Sequence, residues 1–204
     1  MNRMNKLIIV RHGESEQHVS NITGGWTDVA LTEKGILQAH QTGIRLTELM
    51  DGSFKFISSD LKRASQTSLE IEKSVSVVPH FFPQLRESNN GDAANLSKDQ
   101  AVLLYKEPTV PILDWIPYPN AESWNMMRER IHSFLDTEID NKFNYLIVSH
   151  ANAIVEIINW YLKLSLDESN VSFDIDPCSI TILYQNEWGE NTINRLNDTS
   201  HLQA

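Results

Sequence analysis

One cysteine, Cys178, is all the chain has in 204 residues. No intrachain disulfide can form, which fits a reducing compartment. Long hydrophobic runs are missing as well. Met1 to Lys6 is polar and basic, and the apolar stretch behind it, Leu7 to Val10, is too short for a signal-peptide core or a membrane span. Together these features predict a cytoplasmic protein. Basic residues are few: 17 Lys and Arg stand against 27 Asp and Glu, for a formal net charge of −10. Such a field repels nucleic acid and anionic membrane, so neither is an expected partner. No internal repeat, low-complexity tract or linker divides the chain, and one domain over residues 1–204 is expected, large enough to bury a core without disulfide or metal staples.

What is present begins with Leu7-Ile8-Ile9-Val10-Arg11-His12-Gly13. Four consecutive apolar residues, mostly β-branched, predict a strand covered on both faces. Arg11 and His12 follow at its carboxyl end, where open α/β sheets hold their ligands. Thr32 reads as the cap of a helix reaching about Met50, and Phe54–Ile57 as a second strand. A helix over Leu61–Lys73, with Ser58, Ser59 or Asp60 available as cap, and a third strand over Val75–Phe82 continue the alternation. The pattern predicts an α/β fold with a parallel sheet. Prolines 108, 111, 117 and 119 break residues 84–120 into an irregular insertion, read as a lid or pocket wall, in which only Ser97–Lys106 has helical character. A helix over Ala121–Asp140, a core strand at Tyr145–Val148, a buried helix over Ala151–Leu164 and a terminal hairpin (Ser179–Gln185 and Asn191–Leu196) complete the expectation. The last eight or so residues are expected to fray.

His12 and His150 each follow a core strand, and His150 also precedes a helix whose first amide groups lack intrahelical partners. Arg63 lies just after a third strand end. Two guanidinium groups, two imidazoles and a helix start at neighbouring strand ends suit a phosphate. The opposing expectations are a metallohydrolase built on His12, His18 and His150, against which the adjacent arginines argue, and a module that binds phosphorylated ligands without turnover.

At this point the chain resembles the histidine phosphatase superfamily, in the branch that contains the cofactor-dependent phosphoglycerate mutases. The resemblance rests on Arg11-His12-Gly13-Glu14-Ser15, Gly25-Trp26-Thr27-Asp28 with Leu31 to Gly35, Ser58 to Thr67, Leu85-Arg86-Glu87, Ala121-Glu122-Ser123 and Val148-Ser149-His150, in order along nearly the whole chain. It implies a three-layer α/β/α sandwich with a mostly parallel central sheet. It further implies that His12 is the phosphoryl-accepting nucleophile, that Arg11, Arg63 and His150 hold the phosphoryl oxygens, and that Glu87 exchanges the proton with the leaving group. Glu14 is the rival acid. A small phosphorylated substrate is expected, with no metal and no cofactor, the reaction being hydrolysis of a phosphomonoester.

Three stretches depart from the family pattern. His18 stands six positions after His12, where many relatives carry an asparagine that touches the phosphate, and Asn21 is nearby as a substitute donor. Ala151-Asn152 replaces a common pair of glycines where the backbone approaches the substrate, and Ser88 to Asn95 replaces a glycine-tryptophan-glutamate run. Phe81, Phe82, Trp115, Tyr118 and Trp124 are candidates for pocket wall or core, and Arg128 and Arg130 for solvated or structurally paired cations, one of which could reach the rim of the pocket. Mutases of this family carry a longer insertion between the glutamate and the second histidine. Here Glu87 and His150 are 63 positions apart, which favours an open pocket and hydrolysis.

Overall fold

A computed structural model describes residues 6–165 and 172–202; the polar start ahead of Lys6 lies outside them. Six strands form one sheet in the order β3-β2-β4-β1-β5-β6, comprising β1 (Leu7–Arg11), β2 (Phe54–Ser58), β3 (Pro79–Phe81), β4 (Asn144–Ser149), β5 (Ile180–Gln185) and β6 (Asn191–Asp198). The first four run parallel, and the β5–β6 hairpin joins antiparallel against β1. The helices are α1 (Glu16–Val19), α2 (Glu33–Leu49), α3 (Lys62–Val75), α4 (Lys98–Val102), α5 (Trp124–Glu138) and α6 (Ala151–Leu162).

Strand alternation sorts the apolar side chains into two cores. Ile8 and Val10 of β1 join Phe56, Leu146 and Val148 against Leu46 of α2 and Ile71 of α3. Leu7 and Ile9 join Tyr145 and Ile147 against Met127, Ile131 and Leu135 of α5 and Ile154, Ile157 and Ile158 of α6. Helices thus cover both faces of the sheet, as a run of β-branched residues without polar alternation requires. None of them is long and apolar enough to cross a membrane among the described residues.

Two expectations are corrected. The third strand does not occupy Val75–Phe82: α3 continues through Val75, Ser76 ends it in the left-handed conformation (φ 56°), and only Pro79–Phe81 pairs with β2. Val75 and Val77 pack on the core beside α2, so burial overrides their β propensity. The C-terminal segment is also more ordered than expected. β6 runs to Asp198, and the ring of His201 lies 3.0 Å from the Thr42 hydroxyl of α2; residues 203–204 fall outside the description. Helix α1 was not anticipated. Its capping contact runs from the Ser15 amide to Nδ1 of His18, where the usual signature has Glu or Gln.

Candidate active site

Sheet register brings the two histidines together. Arg11 pairs with Ser149 across β1 and β4, and the His12 amide donates to the Ser149 carbonyl at 3.0 Å. The residues that follow, His12 and His150, therefore leave the same edge side by side, with ring centroids 5.0 Å apart. On the other flank of β4, Ser58 pairs with Val148, and Ser59 then sets its hydroxyl 2.8 Å from Nε2 of His150. Arg63 reaches the same place from the first turn of α3 and is fully buried.

The partners of His12 decide its tautomer. Nδ1 lies 2.8 Å from the Gly13 carbonyl, which can only accept, so the ring hydrogen sits on Nδ1. Nε2 keeps its lone pair and accepts from Nε of Arg63 at 3.2 Å. Burial first, then the charges of Arg63 and Arg11, hold this imidazole well below its ordinary pKa. The ring is a neutral base whose single lone pair faces the Nε of Arg63. His150 is shifted down in the same way, by burial and then by Arg63. Its Nε2 lies 2.8 Å from the Ser59 hydroxyl, and its buried Nδ1 has no partner among the described residues.

The two arginines are braced differently. Arg63 donates through its terminal nitrogens to the Thr27 carbonyl at 2.8 Å and the Gly25 carbonyl at 2.7 Å. Burial lowers its pKa to about 10, which leaves it charged at neutral pH. Arg11 donates to the Ile175 carbonyl at 2.5 Å and has a buried Nε with no partner among the described residues. Its other terminal nitrogen lies 2.9 Å from Nε2 of His18. A buried donor without an acceptor is costly, and an oxyanion between Arg11 and His150 would satisfy both.

Glu87 stands at the end of a short 3-10 turn, Pro83–Leu85, and the Arg86 that follows it. Its carboxylate accepts from the Ser88 amide at 2.8 Å and from the Asn152 amide, in the first turn of α6, at 3.3 Å. It lies close enough to Arg11 and Arg63 to support their charge. Glu14 faces elsewhere: the Thr32 hydroxyl at 2.8 Å and Lys34 at 3.0 Å hold its carboxylate below the usual range.

Arg11, His12, Arg63, His150 and Glu87 are thus brought to one strand edge. His18 joins them through Arg11, its ring stacked 5.7 Å from that of His12. Ala151 occupies the first position of α6, half-buried against the core. Asn21 is placed differently. Its amide donates to Asp99 of α4, at 2.7 Å, and no hydrogen bond ties it to the cluster among the described residues. Phe82 and Trp124 pack on the core rather than lining a pocket, Trp115 and Tyr118 gather around Tyr105, and Phe81 is exposed. Ser59 and Trp26 have places in or around the site that sequence spacing did not assign, and Arg130, one of the two candidates for the rim, donates to the Glu87 carbonyl. Among the described residues, no group of three or more His, Cys, Asp or Glu is arranged to hold a metal ion.

Known proteins resemble the chain in sequence and in fold. The curated 2,3-bisphosphoglycerate-dependent phosphoglycerate mutase of Bartonella henselae is 32% identical, over 74% of this chain and 79% of its own length. A second such mutase, from Bacteroides thetaiotaomicron, is 27% identical over 96% and 91%. In fold, the chain is similar to a phosphoglycerate mutase from Bacillus anthracis (TM-score 0.76, 24% identity, 98% of this chain and 96% of that one). It is equally similar to a mycobacterial glucosyl-3-phosphoglycerate phosphatase (TM-score 0.75, 22% identity, 97% and 100%). The profile of the histidine phosphatase superfamily (branch 1) matches residues 7–199, and the chain belongs to that superfamily.

Proposed function

We propose that the protein hydrolyses a small phosphomonoester through a phosphohistidine on Nε2 of His12. The observation that carries this reading is the fixed tautomer: the Gly13 carbonyl holds the hydrogen on Nδ1, so Nε2 has the lone pair, and the Arg63 Nε that it accepts from turns to a phosphoryl oxygen when Nε2 attacks. In the first step that lone pair forms an N–P bond as the P–O bond to the leaving group breaks. The Glu87 carboxyl gives its proton to the departing alkoxide. In the second step the Glu87 carboxylate takes a proton from water, whose oxygen displaces Nε2 from phosphorus and releases inorganic phosphate. Proton transfer of this kind typically contributes about 10² to 10⁴ in rate. Arg11, Arg63 and Nδ1 of His150 donate to the non-bridging oxygens throughout, and such charge positioning is most of the catalysis in phosphoryl transfer.

Incubation with a phosphomonoester panel, followed by rapid quenching, is expected to leave acid-labile, base-stable phosphate on the wild type and none on His12→Ala. Turnover without a labelled intermediate, or an equal label on the variant, would reject the reading. A second reading is favoured by the names of the curated relatives, which are mutases. The short span between Glu87 and His150 supports hydrolysis instead, because it leaves less chain to enclose a phosphorylated intermediate. An assay with 3-phosphoglycerate and its bisphosphate primer separates the two: isomerisation faster than phosphate release establishes a mutase.

A further inference from the structure

The residues around Glu87 carry more connections than a loop needs to keep its shape. The indole Nε1 of Trp26 donates to the Glu87 carbonyl at 2.7 Å. Arg130, one helix away on α5, donates to the same carbonyl at 3.3 Å, to the Arg86 carbonyl at 3.2 Å and to the Gln84 carbonyl at 2.7 Å. Its guanidinium is itself fixed by Glu122, through contacts of 2.5 and 3.2 Å, and the other duty of that carboxylate is to accept the Asn89 amide. Trp26 lies between two cations, with the Arg86 guanidinium 4.8 Å and that of Arg130 6.0 Å from its ring.

The turn that carries Trp26 also carries the carbonyls that orient Arg63. Gly25 and Thr27 accept from the terminal nitrogens of Arg63 on one side, while Trp26 grips Glu87 on the other. The turn is pressed onto the Glu87 loop so closely that only glycine fits at position 25. Its φ is +60°, and a Cβ there would lie 2.4 Å from the Asn90 amide oxygen and 2.8 Å from the Ser88 carbonyl. One rigid element therefore spaces the cation that holds the phosphoryl group from the carboxyl beside it.

We infer that Trp26 and Arg130 are positioning residues for the Glu87 carboxyl, setting its distance from the leaving-group oxygen. The inference rests on the assignment of Glu87 as proton donor. Neither side chain touches the reacting atoms; both act through the backbone of residues 84–87. Displacement of an acid by a fraction of an ångström weakens proton transfer, but it matters only to a leaving group that needs the proton.

The test is kcat/KM, which reports the first phosphoryl transfer, across esters running from p-nitrophenyl phosphate to simple alkyl phosphates. Trp26→Phe removes the indole donor and keeps the ring. Arg130→Met removes the three-carbonyl grip and keeps the stem. Either variant is expected to lose roughly ten- to a hundredfold on alkyl esters but only a few-fold on the aryl ester, so the dependence on leaving-group pKa steepens. Glu87→Gln gives the limiting slope. Loss that is uniform across the series in both variants, with a steep Glu87→Gln slope, would overturn the positioning role and leave the proton donor intact. A flat Glu87→Gln series would overturn the donor assignment and the positioning role with it. Should one variant fail to fold, as judged by circular dichroism, the other decides.

Discussion

Arg63 Nε donates to His12 Nε2 across 3.2 Å, while the remaining guanidinium nitrogens are held by the carbonyls of Thr27 and Gly25. The fork is oriented by backbone before any substrate arrives, and its Nε marks where a phosphoryl oxygen would sit beside the attacking lone pair. A lysine keeps the charge but cannot span three acceptors in a plane. Arg63→Lys is therefore expected to lower kcat by about a hundredfold or more, the usual cost of one misplaced oxyanion donor. Steady-state kinetics with folding verified by circular dichroism measures it, and a loss below fivefold would show that charge alone suffices.

His18 is asked to accept on both sides. Nδ1 faces the Ser15 amide at 3.0 Å and Nε2 faces the Arg11 guanidinium at 2.9 Å, yet a neutral imidazole has one acceptor. Burial, followed by the charges of Arg11 and Arg63, lowers its pKa and keeps it neutral. With Nδ1 taken by Ser15, Nε2 carries hydrogen against another N–H, a conflict that a substrate oxygen between the two donors removes. His18→Ala is expected to raise KM about five- to tenfold with kcat changed by about twofold or less, as the loss of roughly 1 kcal/mol of binding implies. An unchanged KM would place His18 outside the binding surface.

Stability should depend on pH through the two buried imidazoles. Both His12 and His150 have folded pKa values below that of the unfolded chain, which lies near ~6.5. Between the folded and unfolded values the unfolded state binds more protons, so stability falls as pH drops below about 6.5, by up to about 1.4 kcal/mol per pH unit for each ring. Above that window the term is constant. Urea midpoints between pH 7.5 and 5 are expected to decline on the acid side, and less steeply in His12→Asn. A flat profile over this range would mean that the rings are hydrated.

Gly35 sits in the first turn of α2, where helix propensity alone favours alanine by about 1 kcal/mol. A Cβ there would lie 1.9 Å from the Glu14 carbonyl oxygen, and one on Gly13 would lie 2.5 Å from the Gly35 carbonyl oxygen. Two backbones meet without room for a methyl group beside His12. The clash outweighs propensity, and Gly35→Ala is expected to destabilise by about 2–3 kcal/mol in urea denaturation. A stabilised variant would contradict the close approach.

Much of this arrangement was legible locally. Leu7 to Val10 and Tyr145 to Val148 are apolar runs that only a strand covered on both faces buries, and each has a histidine two positions beyond its last residue. Thr32 caps α2 as its sequence suggests, with the hydroxyl accepting from the Gly35 amide at 3.0 Å. The misreadings have physical causes as well. Val75 has strand propensity but completes a helix because the core beside α2 takes its side chain. Helix α1 carries a histidine, His18, at its third position, where a glutamate would have announced it. Asn21 has the chemistry of a phosphate donor but spends it on Asp99.

The order of amino acids was enough to list Arg11, His12, Arg63, Glu87 and His150 as candidates and to put each near the end of a particular element, because hydrophobic period and capping act over a few residues. It could not say which histidine nitrogen is free, how deeply Arg63 is buried, or that Trp26 and Arg130 meet at one carbonyl of Glu87. Those facts depend on hydrogen bonds between segments tens of residues apart, and the register of β2, β4 and β1 sets them only when the two cores close on the sheet.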